Sequence, residues 1–122
     1  YMVADSYPED GGADEYFALD ASMGKKLLVL RFHLTNETEQ EETIDLLNTN
    51  SRYIITVNDS VRANALTTML PNDMSTYAET LEPGQTQELV LLLEINEDVA
   101  GAVQTIALRL KNASNEYTIQ LL

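Results

Sequence analysis

The chain has 122 residues, and twenty Asp and Glu against seven Lys and Arg leave it with a net charge of −13. A chain of this length buries roughly two-thirds of its unfolded surface, so one domain with an ordinary apolar core needs no staples. The absence of Cys excludes thiol catalysis, Cys-ligated zinc and disulfide scaffolding; the acidic field opposes binding to nucleic acid and anionic lipid, and no apolar run approaches the roughly 18 to 20 residues of a membrane span.

From Tyr1 to Glu15 the composition is polar and acidic, with Pro8, Gly11, Gly12, Asp5, Glu9, Asp10, Asp14 and Glu15. Tyr1, Met2, Val3 and Tyr7 are too few apolar residues to bury a folded face, so residues 1–15 read as a flexible acidic arm or linker. The alternative, a calcium loop built from these carboxylates, needs alternating oxygen ligands around a turn-forming Gly and a closing Glu, and the spacing does not supply them. The chain opens Tyr1-Met2-Val3 rather than on an initiator Met. From that start we expect a fragment cut from a precursor with a basic n-region and an apolar h-region ahead of Tyr1, ending at a lipidated Cys.

The domain is expected over residues 16–122. Tyr16-Phe17-Ala18-Leu19 has strand character and is followed by a break at Ser22-Met23-Gly24. Leu28, Leu30, Phe32 and Leu34 then alternate with Val29, Arg31, His33 and Thr35, a period of two with one apolar and one mostly polar face. Asn36 to Glu42 is polar and strongly acidic, a loop. Ile44 to Leu47 could be strand or a helical turn, and Asn48-Thr49-Asn50-Ser51 reads as a turn. Tyr53, Ile55 and Val57 predict a strand, Asn58-Asp59-Ser60 a turn, and Val61 to Thr67 the returning half of a hairpin. Pro71-Asn72-Asp73 interrupts any ladder, Tyr77 to Leu81 is a weaker strand, and Leu81-Glu82-Pro83-Gly84 is a tight turn.

Leu89, Leu91, Leu93 and Ile95 share one face of the next strand, with Glu88, Val90, Leu92 and Glu94 on the other, so its middle should be buried on both sides. A helix over Gln85 to Glu94 competes on propensity; the Pro-Gly turn before it and the missing helical polar stripe decide for strand. Asn96 to Gly101 turns the chain, with room for a helical turn. Ile106, Leu108 and Leu110 form a further strand, joined through the Asn112-Ala113-Ser114-Asn115 loop to one carrying Tyr117, Ile119 and Leu121. The expected core is Leu28, Leu30, Phe32, Leu34, Leu91, Leu93, Leu108, Leu110 and Ile119, with Tyr53 and Tyr117 on the same apolar faces.

About seven or eight strands spaced near ten residues apart, with almost no helix, predict an all-β fold: an immunoglobulin-like two-sheet antiparallel β-sandwich. The Cys and Trp pattern of antibody domains is absent, which excludes that family and leaves the architecture open. The run Gly24 to Asn36, the turn Leu81 to Thr86 and the closing strands Ile106 to Leu110 and Tyr117 to Leu121 resemble an immunoglobulin-like domain family. It occurs in secreted proteins and lipoproteins of Gram-positive bacteria and is related to the mycobacterial immunoprotective secreted antigen. The resemblance spans residues 16–122, departs from the pattern in the long Leu66 to Tyr77 stretch, and implies an extracytoplasmic sandwich without catalytic residues to carry over.

His33 is the only imidazole, predicted on the polar face beside Arg31 and Thr35 and without a Gly-x-Ser-x-Gly motif nearby. With twenty acidic residues, some carboxylate pair at a hydrolytic separation arises by chance, so abundance carries no information. Asn36-Glu37-Thr38, Asn58-Asp59-Ser60 and Asn112-Ala113-Ser114 match the glycosylation pattern and read as turn chemistry. No residue is assigned a catalytic, cofactor-binding or metal-ligating role. The expectation is a noncatalytic interaction or spacer module at the bacterial cell envelope, secreted or lipid-anchored. Its partner would be an unidentified protein or envelope component, not nucleic acid, with membrane contact only through an N-terminal anchor. A sugar- or calcium-binding domain is the alternative, and a carboxylate-based hydrolase the third reading.

Overall fold

The computed structural model describes residues 1–7, 19–47, 51–68, 70–112 and 115–122. The expected strand over Tyr16 to Ala18, the turn at Asn48 to Asn50, residues 8–15 of the expected arm with Asp10 and Asp14, and Ala113 and Ser114 lie outside the described residues. Eleven strands appear in those described: β1 (Met2–Ala4), β2 (Ser6–Tyr7), β3 (Leu19–Asp20), β4 (Lys25–Thr35), β5 (Glu42–Asp45), β6 (Arg52–Val57), β7 (Val61–Asn64), β8 (Ala78–Leu81), β9 (Thr86–Asn96), β10 (Ile106–Lys111) and β11 (Glu116–Gln120). One turn of helix, α1 (Glu97–Ala100), joins β9 to the loop before β10.

The fold is an antiparallel β-sandwich. A three-stranded sheet in the order β1-β4-β9 packs on a four-stranded sheet in the order β11-β10-β6-β7, and two ribbons, β2-β3 and β5-β8, lie apart. The strand total exceeds the expected seven or eight because two- to four-residue segments pair where the sequence shows no alternation long enough to be seen. Strands β4 and β9 pair along their full lengths, from Lys25 opposite Asn96 to Thr35 opposite Thr86. Between the sheets lie Leu28, Leu30, Tyr53, Ile55, Val57, Leu91, Leu93, Ile95, Ile106 and Leu108.

The central strands are buried on their other face too. Leu27, Val29, Val90 and Leu92 are covered by Leu70, with Met2, Tyr7, Leu19, Ala21 and Leu66 around them. This bears out the two-sided burial expected of β9 and corrects the placing of Val29 on a polar face. It also corrects the arm for residues 2–7. Met2, Val3 and Ala4 pair with Val29, Leu28 and Leu27, and Ser6 and Tyr7 pair with Asp20 and Leu19. Few as they are, these apolar side chains find a prebuilt apolar face and need not form one of their own.

Two turns set the hairpins. Asn58 and Asp59 have φ of 53° and 57°, the pair of left-handed residues that a type I′ turn requires and that Asn and Asp tolerate. Ser60 N–H closes it on the Val57 carbonyl at 3.1 Å. Gly84, with φ of 79° after Pro83, sits where a type II turn needs a positive φ, and Gln85 N–H donates to Glu82 O at 3.0 Å.

The expected return strand from Val61 to Thr67 stops at Asn64. From there the chain crosses to the other sheet and laces along the edge of β9: Leu66 N–H donates to Leu92 O at 2.8 Å, and Val90 N–H to Asn72 O at 2.9 Å. Asp73 anchors this crossing. It is 1% exposed; one carboxylate oxygen accepts from the backbone N–H (2.9 Å) and hydroxyl (2.6 Å) of Thr68, the other from the N–H (2.8 Å) and hydroxyl (2.6 Å) of Ser75. Four donors on one buried carboxylate are what makes its burial tolerable.

Residues 42–45 form strand rather than loop or helical turn, because Glu42 to Asp45 pair with Leu81 to Ala78. In the core, Leu28, Leu30, Leu91, Leu93 and Leu108 are buried as expected, whereas Phe32, Leu34 and Leu110 are half-buried. Ile119 and Tyr117 are exposed, at 42% and 57%. They do face inward, opposite Leu108 and Leu110, but β11 is the outer strand of its sheet and overhangs the smaller one.

Candidate functional site: the open edge of the sandwich

That overhang defines the candidate site. β1 pairs with β4 only at Leu27, Leu28 and Val29, while β4 runs on to Thr35. Among the described residues, therefore, the edge of β4 from Leu30 to Thr35 has no neighbouring strand on the β1 side. Every second residue along such an edge presents an unpaired N–H and C=O to solvent. Among the described residues β11 pairs with β10 alone, which makes it the second open edge.

Between them lies a cleft of about 150 Å³ lined by Tyr1, Leu30, Arg31, Phe32, Ile106 and Leu121. Its far wall is held by the C-terminus: Leu121 N–H donates to Ile106 O at 2.8 Å, and Ile106 N–H to Leu122 O at 3.3 Å. Tyr1, Tyr117, Ile119, Leu121 and Leu122 are all exposed. Exposed apolar side chains beside a strand edge unpaired among the described residues leave one strand's worth of room there in the smaller sheet. Arg31 brings the cleft's one charged side chain.

Asn36 closes β4 at the far end. Its side-chain amide is buried, donating to Gln40 O at 2.8 Å and Leu81 O at 2.9 Å, while its oxygen accepts from Thr38 N–H at 2.9 Å and the Thr38 hydroxyl at 2.7 Å. Asn58 similarly donates to Ala102 O at 2.9 Å and accepts from Gln104 and Thr105 N–H at 2.7 and 3.1 Å. Asn112 accepts from Asn115 N–H at 2.8 Å. The three glycosylation-type asparagines are thus loop pins, in line with the turn chemistry expected of them.

His33 lies on the outer face of β4, 66% exposed, with Nε2 at 3.8 Å from a Glu88 oxygen and outside the lining of the cleft. Among the described residues no three carboxylates or imidazoles converge on a point that could hold a metal ion. A sugar-binding domain would need exposed aromatics to stack on; Tyr53 and Tyr77 are buried and Tyr117 is exposed, while Tyr16 lies outside the described residues. Elsewhere the acids crowd one another or find donors. The neighbouring Glu41 side chain raises the Glu82 carboxyl above the usual range, and the backbone N–H of Ser22, with help from its hydroxyl, holds Glu94 below it. Among the described residues no helix is long and apolar enough to cross a membrane.

Sequence reasoning missed the open edge. The one signal available was the mismatch between a long β4 and the short apolar run at its N-terminal neighbour.

No family model and no curated protein matches this chain. Among solved structures it is similar to an uncharacterized β-sandwich protein from Clostridium difficile 630, at 15% identity and a TM-score of 0.58, over 99% of this chain and 80% of that one. At that identity the likeness shows the fold, a β-sandwich.

Proposed function

We propose that this domain is a noncatalytic interaction module, and that it holds an extended protein segment by strand addition at the open edge of β4. The observation that carries the reading is the run from Leu30 to Thr35, unpaired on one side among the described residues, beside an apolar cleft. An added strand gains main-chain hydrogen bonds from the β4 edge and side-chain specificity from the pocket. Alternate side chains of the segment would cover Phe32, Tyr117 and Leu121, and an acidic residue would meet Arg31. Strand addition orders an extended chain along a preformed template, so it needs no rearrangement of the domain.

We place the module outside the cytoplasm, secreted or lipid-anchored at a Gram-positive cell envelope. The support for this is the Cys-free acidic composition and the resemblance carried by Gly24 to Asn36 and Leu81 to Thr86. The upstream coding sequence tests it: an n-region and h-region are expected there, and a reading frame beginning at Met2 would refute it.

Selection from a library of short displayed peptides tests the binding itself. Enrichment of alternating apolar sequences containing an Asp or Glu is expected, with capture lost in a Tyr117→Lys/Leu121→Asp variant. Both side chains are already exposed, so the variant should keep the parent's melting temperature. Selection of helical or unpatterned peptides, or capture untouched by the double substitution, would refute strand addition.

A further inference from the structure

The four-stranded sheet ends in β7 on one side and β11 on the other, and the two edges are built differently. β7 is four residues long and carries Arg62; shortness and charge are devices that keep an edge from pairing. β11 is Glu116-Tyr117-Thr118-Ile119-Gln120, exposed throughout. It is rich in strand-forming side chains, and its only charge stands at one end.

The pairing with β10 decides which main-chain groups this edge offers. Asn112 N–H donates to Asn115 O at 2.9 Å, and Leu121 N–H to Ile106 O at 2.8 Å. Main-chain groups alternate in direction along an antiparallel strand. Tyr117 and Ile119 therefore also turn theirs to β10, while Glu116, Thr118 and Gln120 turn theirs outward, with Thr118 at the centre. About a twofold axis at Thr118, a second β11 pairs antiparallel over its whole length. Thr118 then opposes the partner's Thr118 and Glu116 the partner's Gln120, all as hydrogen-bonded pairs, for about six main-chain bonds. Tyr117 opposes the partner's Ile119 in the non-bonded positions, where side chains lie closest.

Each opposed pair suits a sheet: Thr meets Thr, an aromatic meets a β-branched side chain, and no like charges meet. An axis at Glu116 would set carboxylate against carboxylate, and one at Tyr117 or Ile119 would oppose residues whose main-chain groups are already turned to β10. The inner face gains as well. Tyr117 and Ile119 point inward yet remain exposed, and in the pair they lie beside their counterparts on one continuous apolar face. Charge permits the approach only here. A copy with net charge −13 is repelled at long range, but the charged side chains of β10 and β11 are Arg109, Lys111 and Glu116. Arg109 holds Glu116, its Nε at 2.6 Å from the carboxylate.

We infer that β11 is the contact between two copies of this chain, paired edge to edge about a twofold axis at Thr118 so that their four-stranded sheets become one. The contact is isologous and therefore closed, and growth stops at two. It does not rest on strand capture at β4: that is read at Leu30 to Thr35, this at Glu116 to Gln120.

Sedimentation velocity tests it over a concentration series reaching about 1 mM, where even a weak contact of this small size populates the pair. A monomer–dimer equilibrium is expected that tightens as added salt screens the −13 charge. Thr118→Lys sets two like charges at the axis and should weaken the dimer at least about tenfold. Thr118→Pro removes an N–H that β10 does not use, so as dilute monomer it should melt with the parent while dimerising as poorly as the Lys variant. Thr80→Lys adds the same charge on exposed β8 and should dimerise at least as well as the parent. Hydrogen exchange at high concentration should newly protect the Glu116, Thr118 and Gln120 amides. A monomer throughout the series, a dimer that survives both Thr118 variants, or protection gained along β4 and not β11 would overturn the inference.

Discussion

Replacing Asp73 by Asn probes the segment that ties the two sheets together. The side chain keeps its size and loses its charge and one acceptor. In the parent each carboxylate oxygen accepts one backbone N–H and one hydroxyl, from Thr68 on one side and Ser75 on the other. The hydroxyls can rotate and accept from an amide; the two backbone N–H groups cannot. Whichever way the new amide is turned, its NH2 confronts one of them. One buried N–H without a partner costs about 1 to 3 kcal/mol, and losing charge assistance on the remaining bonds adds on the order of 1 kcal/mol. We therefore expect a loss of about 2 to 4 kcal/mol. In a domain of this size that is a fall in melting temperature of roughly 6 to 16 °C, read by calorimetry or circular dichroism. Hydrogen exchange should show the Val90 amide, bonded to Asn72 O, losing protection first. A variant that melts with the parent and keeps that protection would refute the reasoning.

Leu91, fully buried between the sheets, should cost about 2 to 5 kcal/mol when changed to Ala, whereas exposed Arg31→Ala should stay within about 0.5 kcal/mol; chemical denaturation distinguishes them. Asn58→Gly retains the positive φ and removes three side-chain hydrogen bonds, so its expected cost of about 1 to 3 kcal/mol measures the clamp alone. The Glu94 carboxyl is held low by Ser22, so its share of stability is present above the ordinary carboxylate pKa and is lost as pH falls through its depressed folded value. Glu94→Gln should flatten the acid limb of the stability profile and leave Glu82→Gln, where the folded pKa is raised, to improve stability only as pH rises past the carboxylate range.

Much of the architecture could be read from single strands. Alternation in Leu28 to Leu34 and Leu89 to Ile95 announced β4 and β9 as strands, though not their pairing, and Leu92 with Val90 announced burial on both faces. The turn at Asn58 and Asp59 was legible because few other residues adopt its backbone. What alternation does not carry is whether the opposing layer extends far enough to cover a face. Ile119 and Tyr117 have the pattern of core residues and the inward orientation, yet remain exposed because the smaller sheet stops short of them. The same limit concealed the open edge of β4, which depends on where β1 ends. Asp73, in a stretch that reads as a chain breaker, draws its meaning from donors at Thr68 and Ser75, and a sequence marks none of the three as buried.

Chemical-shift mapping of the labelled domain, titrated with a peptide from the selection described above, tests strand capture most directly. The account predicts perturbation and new exchange protection at alternate amides from Leu30 to Thr35, with cross-strand contacts placing the peptide antiparallel or parallel along β4. Perturbation concentrated elsewhere, or binding that leaves those amides as open to exchange as in the free domain, would contradict it.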